Sequence, residues 1–161
     1  MLAPEALGQA PPHCSPAAAP ARADDPPLVV DLDGTLLRTD SLVESLFVLA
    51  KRRPASLLAL PCALRRGRAA FKRWVAVRAR PELETLPFDE PMMDLLRAEK
   101  RRGRRLVLAT GADQLLAQAI ADRLDLFDEV LASDGRRNLA GQVKAERLVA
   151  AYGARGFDYA G

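Results

Sequence analysis

The stretch Leu28-Val29-Val30-Asp31-Leu32-Asp33-Gly34-Thr35-Leu36 decides how this chain is read. Its apolar residues lack the polar alternation of a half-exposed strand, which predicts a parallel strand buried on both faces and ending at Asp31. Ligands of open α/β sheets bind where the strands end at their carboxyl side, so the turn that follows is a candidate site. Gly34 lets that turn be sharp. Asp31 and Asp33 stand two residues apart, and the turn can direct both into one pocket. Carboxylates that close repel each other unless a proton or a cation stands between them, so the pair implies a divalent cation. Asp-x-Asp-Gly alone is equally compatible with an ordinary acidic turn. The buried strand in front of it makes the longer string specific.

A second apolar run, Arg105 to Gly111, predicts another buried strand ending at Thr110, followed by an amphipathic helix through Leu115, Leu116, Ala119 and Ile120. Thr110 and Gly111 therefore precede a helix N-terminus, where free amides and the helix dipole favour an anion. The same residues also suit a plain helix cap. Further along come a strand near Phe127 to Ala132, a helix carrying Lys144, and a final strand at Phe157 to Ala160. With a helix through Met92, Leu95 and Leu96, this alternation predicts an α/β fold: a three-layer, Rossmann-like parallel sheet.

Between the first two strands the pattern is helical. Leu42, Ser45, Leu46 and Leu49 fall on one face, then Leu57, Leu60 and Leu64, then Phe71, Trp74 and Val75, with Pro54, Pro61 and Pro81 as punctuation and Pro61 placed to kink a helix. A crossover between parallel strands needs little more than a dozen residues, so residues 41–90 are expected to form a helical insertion. Residues 1–27, rich in Pro and Ala, are expected to be a disordered leader, and residues 28–161 the folded domain.

Composition bounds the function. At 161 residues and 49% hydrophobic, the chain suits one domain with a sizeable core, and with 5% aromatics that core must rest on Leu, Val and Ala. The net charge of +3 is too modest to argue for nucleic acid. Basic residues nevertheless cluster at Lys51 to Arg53, Arg65 to Arg68, Lys72-Arg73 and Lys100 to Arg105. Solvated helix ends and loops account for such runs; weak contact with anionic membranes is the functional alternative. Cys14 and Cys62 show no metal or disulfide spacing, and His13 is the sole histidine, which excludes histidine-based triads. No apolar run is long enough to span a membrane, and the N-terminus has no signal-peptide pattern. The cytoplasm is the expected location.

Residues 28–36 resemble the first motif of the haloacid dehalogenase-like (HAD) phosphotransferases, an apolar strand followed by Asp-x-Asp-Gly-Thr-Leu. The resemblance implies that Asp31 is the nucleophile, forming an aspartyl phosphate, and that Asp33 is the general acid and base. It implies that Thr110 and Gly111 bind phosphate and that Lys144 balances charge. Mg²⁺ would be held by Asp31 and by Asp33 through its backbone carbonyl. The residues 41–90 would be the cap such enzymes place over the site, the strand order would be 3-2-1-4-5, and the substrate would be a small phosphorylated compound. The chain departs from the pattern at the fourth motif, where Gly-Asp and a further acid are expected after the last strand. Gly161 matches the glycine and the sequence stops there. Asp158 and Asp134 are weak substitutes for the absent acids, and the final strand is expected to leave an apolar edge prone to pairing or aggregation.

Residues 30–42 and Gly156-Phe157-Asp158-Tyr159-Ala160-Gly161 resemble more narrowly the HAD-type domain found ahead of UbiA-type membrane prenyltransferases. Full-length proteins of that kind continue into a membrane prenyltransferase domain. Two readings follow: a Mg²⁺-dependent phosphatase-like domain, or a catalytically incomplete N-terminal fragment or phosphate-binding module of such a fusion, truncated before the fourth motif.

Overall fold

The computed structural model describes residues 25–161. The expected leader, with His13 and Cys14, lies outside the described residues except for its last three positions. The elements run β1 (Leu28–Val30), α1 (Ser41–Arg52), a 3₁₀ segment (Pro54–Ala59), α2 (Leu60–Leu64), α3 (Arg68–Arg78), α4 (Glu90–Arg101), β2 (Leu106–Asp113), α5 (Gln114–Leu124), β3 (Glu129–Ser133), α6 (Gln142–Tyr152) and β4 (Asp158–Ala160).

All strand pairs are parallel, in the order β3-β2-β1-β4. Leu28 pairs with Leu106 and Asp158, and Val30 with Leu108 and Ala160. Strand alternation divides the core. Leu28, Val30, Leu106 and Leu108 face one side with Leu96 of α4 and Leu116 and Ile120 of α5. Val29, Val107 and Ala109 face the other with Leu148 of α6. Each face needs its own helical layer, which is why β1 is apolar throughout and buried at every residue. The three-layer parallel arrangement is the one the sequence pattern predicts.

The turn after β1 has Gly34 at φ +77°, a conformation that side-chain-bearing residues rarely adopt. Just beyond it, Arg38 donates its amide to the Pro87 carbonyl at 3.0 Å and Asp89 donates to the Leu36 carbonyl at 3.0 Å. Leu37 thus forms an antiparallel bridge with Phe88. The helical block leaves and rejoins the core through this stem. Asp40 opens α1 by accepting from the Leu42 and Val43 amides, and Asp89 opens α4 by accepting from Met92.

Two sequence expectations need correction. β2 does not end at Thr110: it runs to Asp113, with a register shift against β3 between Ala109 and Asp113. Residues 57–64, where Leu57, Leu60 and Leu64 carry helical spacing, do not form one helix. Pro54 starts the 3₁₀ segment, and Pro61 sits in the first turn of α2, where its missing N–H costs nothing, so it begins a helix instead of kinking one. Leu57 and Leu64 are consequently exposed.

The basic run Lys100 to Arg105 is largely paired at the amino-terminal rim of the sheet. Arg104 bonds Asp158, Glu99 and the Pro26 carbonyl, while Arg105 pairs with Glu129 at 2.7 Å. Asp128 accepts from Lys100 Nζ at 2.7 Å and from the Leu106 amide at 2.8 Å, tying α4 to the start of β2. Partial burial opposes its charge, but these two donors outweigh it and hold the carboxyl below the usual range. A lowered folded-state value contributes stability above the ordinary 3.8 that is lost as pH falls through the folded-state value. Asp128→Asn is therefore expected to lose about 1 kcal/mol at neutral pH, solvent screening included. Denaturant titrations across pH should show that deficit shrinking below pH 3.8.

Candidate functional site

Because the strands are parallel, the residues that follow each of them gather at one rim. Asp31 directly follows β1, and its amide donates to the Ala160 carbonyl at 2.9 Å, so β4 helps orient it. Its Oδ1 accepts from the Leu32 amide at 2.8 Å, and its Oδ2 accepts from Lys144 Nζ at 2.6 Å. Lys144 lies in the first turn of α6 and also reaches the Ala109 carbonyl at 3.5 Å and the Tyr159 hydroxyl at 2.8 Å. Burial works to lower the Lys144 pKa, but hydrogen bonds and charge from Asp31 and Tyr159 outweigh it and raise the value, so the ammonium stays protonated. The structure thus joins Asp31 and Lys144, two residues 113 positions apart.

Asp33 is held by the Ser41 amide, which donates to Oδ1 at 2.8 Å from the start of α1. Burial pushes the Asp33 carboxyl up; hydrogen bonds from Ser41 pull it partly back, and the charges of Asp40 and Asp31 push it up further. A carboxyl so placed retains a proton to a higher pH than an ordinary aspartic acid, as a proton donor must.

Thr110 and Gly111 stand beside this pair in β2, next to the Ala109 carbonyl that Lys144 approaches. Thr110 is fully buried, and its Oγ1 accepts from the Ala112 amide at 3.0 Å. The Gly111 carbonyl accepts from Lys72 Nζ at 2.5 Å and from Ser133 Oγ at 2.9 Å. A side chain at Gly111 would crowd the Ala140 Cβ at 3.3 Å. The expected helix cap falls to Asp113, which accepts from the Leu115 amide at 3.0 Å.

Several contributing residues escaped sequence reasoning. Tyr159 is one; its hydroxyl contacts both Lys144 and Asp31, the latter at 3.4 Å. Its signal was its place two residues before Gly161 in a strand that pairs with β1. Lys72 and Arg73 of α3 are others. Lys72 also donates to Asn138 Oδ1 at 3.2 Å, and Arg73 Nε lies 2.9 Å from Asp113 Oδ2. Lys72 and Asp33 both line a cavity of about 40 Å³ between α1, α3 and the β2–α5 turn. Nothing in the sequence pattern assigned these two cations to the core instead of to solvent.

Asp158 and Asp134 do not reach the site. Asp158 is engaged by Arg104 at the amino-terminal rim. Asp134 Oδ1 accepts from the Arg136 and Arg137 amides at 2.8 and 2.7 Å, closing its own loop. Among the described residues no group of three or more His, Cys, Asp or Glu side chains converges as metal ligands.

Residues 28–161 match the family model of the haloacid dehalogenase-like hydrolases. The chain is 39% identical over 135 residues to the uncharacterized protein y4nM of Sinorhizobium fredii, covering 84% of this chain and 26% of that protein. It therefore spans about a quarter of the length of this curated relative. Among solved structures, a protein of unknown function from Bordetella pertussis Tohama I superposes with a TM-score of 0.60 at 18% identity, over 82% of this chain and 76% of that one. A substrate-bound phosphoserine phosphatase superposes at 0.54 with 14% identity, over 85% and 75% of the two chains. A phospho-aspartyl intermediate analogue of phosphoserine phosphatase superposes at 0.52 with 16% identity, over 84% and 75%. At these identities the solved structures establish the shared fold.

The Arg73–Asp113 pair ties the helical block to the core beside this site. Arg73→Met leaves a carboxylate that is 2% exposed without its cation, so it is expected to cost about 2 kcal/mol, the partly exposed guanidinium moderating the loss. Adding Asp113→Asn should recover part of it, which a double-mutant cycle of unfolding free energies measures.

Proposed function

The chain belongs to the haloacid dehalogenase-like hydrolases, and from that premise we propose that it is a phosphatase-like domain acting on a small phosphorylated substrate through an aspartyl phosphate at Asp31. The observation that supports this reading best is the 2.6 Å contact between Asp31 and Lys144 at the carboxyl rim, two residues from Asp33, whose burial favours its protonated form.

In this proposal Asp31 attacks phosphorus. A bond forms between its carboxylate oxygen and phosphorus, the bond to the leaving alkoxide breaks, and Asp33 delivers its proton to that oxygen. Asp33, now ionised, takes a proton from water, which attacks phosphorus and releases phosphate, restoring both carboxyls. Lys144 orients Asp31 and offsets the charge that accumulates beside it. Thr110 and Gly111 bind phosphate through the hydroxyl and amide. The helical block between β1 and α4 acts as a cap, its α3 held over the rim by Lys72 and Arg73, and limits water and substrate entry.

The site suits Mg²⁺. Its donors are hard oxygens, and beside the burial that chiefly raises the Asp33 pKa, the charges of Asp40 and Asp31 add a repulsion that a cation relieves. Asp31 and the main-chain carbonyl of Asp33 would hold the ion, with water and substrate oxygens completing its shell. When bound, it neutralises the charge of the phosphoryl group.

A second reading treats the same pocket as a phosphate-binding module with negligible turnover, in a longer fusion to a UbiA-type prenyltransferase. The absence of a third converging acid among the described residues favours it. Both readings place the domain in the cytoplasm.

Hydrolysis of an aryl phosphate with Mg²⁺ separates them. The phosphatase reading expects turnover that chelation abolishes, a fall of about a thousandfold or more in kcat/KM for Asp31→Asn, and about a hundredfold for Lys144→Met. Asp33→Asn is expected to accumulate a hydroxylamine-sensitive phosphoryl-enzyme. Undiminished turnover in Asp31→Asn would refute the nucleophile assignment. Phosphate binding without turnover would favour the second reading.

A further inference from the structure

The basic clusters at residues 51–53 and 65–68 are not absorbed by the site. Between Lys51 and Arg80 the chain carries ten Lys and Arg and no Asp or Glu, whereas the rest has 14 basic against 21 acidic residues, a net of −7. The charge of the whole molecule is thus partitioned, with its positive part on the helical block.

That block also exposes apolar side chains that the core does not use. From Lys51 to Arg68 every residue except Ser56, Leu60 and Ala63 is exposed. The middle of this run is apolar, with Leu58 87% and Leu64 55% exposed. Its two ends are basic. The 3₁₀ segment and α2 together span about 20 Å at their usual rises per residue, so both arginine clusters stand within reach of the surface the leucines would meet. On α1, Val43 and Phe47 are exposed with the i, i+4 spacing of one stripe, which ends at Lys51; Phe47 is 68% exposed. Single exposed apolar residues are ordinary, but a run of sequence that exposes several of them between cationic flanks is not.

We infer that the segment from Lys51 to Arg68 is a docking surface for an anionic lipid bilayer, with the leucines of the tip entering the headgroup boundary and the flanking arginines pairing with lipid phosphates. Charge complementarity and shape select this occupant. Arg and Lys hold their charged heads in the interface while their stems lie along apolar surface, and interfacial segments combine an apolar face with such flanks. Nucleic acid would use the charge but gain nothing from Leu58 and Leu64 against its phosphates. In the docking segment Arg52 pairs with Glu82, whereas the basic run at Lys100 to Arg105 is engaged by four acids, Asp128, Glu129, Glu99 and Asp158.

The test is co-sedimentation of the full chain with vesicles of equimolar phosphatidylglycerol and phosphatidylcholine, and with phosphatidylcholine alone. Binding is expected to the anionic vesicles only, weakening as salt rises. Leu58→Asp should lower the partition coefficient about tenfold or more. Arg65→Glu with Arg66→Glu should lower it at least about tenfold at low salt. Both substitutions alter exposed side chains, and unchanged thermal unfolding checks that they fold; Leu58→Ser serves if the charged variant does not. No sedimentation with anionic vesicles would overturn the inference, and so would binding that ignores the change at Leu58, since that describes a purely electrostatic surface. Concentration-dependent self-association that disappears in Leu58→Asp, without vesicle binding, would assign the face to a second copy and also overturn it. Aryl phosphate hydrolysis involves none of these residues, so failure here leaves the phosphatase reading standing.

Discussion

The pairing of β1 between β2 and β4, parallel on both sides, is the constraint from which the rest follows. Its three residues are buried on both faces and hold no polar side chain. Polar chemistry is therefore confined to where the strands stop. Parallel direction places the residues after β1, the end of β2 and the start of α6 at a common rim, so Asp31 and Lys144 meet across 113 residues of chain without any local signal for it. The pair is itself partly buried, and its close contact and the Tyr159 hydroxyl offset the cost of taking two charges from water.

Gly34 and the stem at Leu37 and Phe88 turn this rim into an enclosed place. The positive φ at Gly34 redirects the chain away from the sheet, and the stem returns it 51 residues later, from Leu37 to Phe88, through one antiparallel bridge among the described residues. A block held by so slender a base needs contacts of its own with the core. Lys72 and Arg73 supply them, reaching the Gly111 carbonyl, Asn138 and Asp113. These contacts are polar, and polar contacts can be exchanged for water or substrate oxygens at modest cost, unlike the apolar packing within the sheet.

What could be read in the sequence was whatever depends on period and order. The all-apolar run of β1, the Asp31–Asp33 spacing, the α/β alternation and the helix of Lys144 are local patterns, and the strand order came from the family resemblance. Contacts that depend on where a long side chain ends were not legible. Lys72 and Arg73 look like any solvated pair on a basic helix, and only the folding of α3 against β2 reveals their partners. Tyr159 was quoted for its neighbourhood but its hydroxyl gained meaning only when β4 paired with β1. Leu57, Leu60 and Leu64 carry one helical spacing in the sequence, but the 3₁₀ segment that Pro54 opens ends at Ala59 and Pro61 sits in the first turn of a separate helix, so Leu57 and Leu64 do not share a buried face.

The outward leucines lie in the part of the chain where the charge is least balanced. In the sheet domain the basic residues at the amino-terminal rim are met by acids at defined positions: Arg104 by Glu99 and Asp158, Arg105 by Glu129, Lys100 by Asp128. Their role is to fasten strand starts to helix ends, and the carboxylates are spaced along the chain to meet them. Residues 51–80 contain no acid at all, so cations there that lack an acid from elsewhere repel one another at short range. Arg52 with Glu82 and Arg73 with Asp113 draw acids from outside the segment. A folded block that keeps this self-repulsion and also leaves leucines in water is carrying two costs that burial and pairing would ordinarily remove. One external anionic, apolar-cored surface relieves both at once, whereas repacking the leucines inward would leave the charge unmet and adding acids would leave the leucines wet.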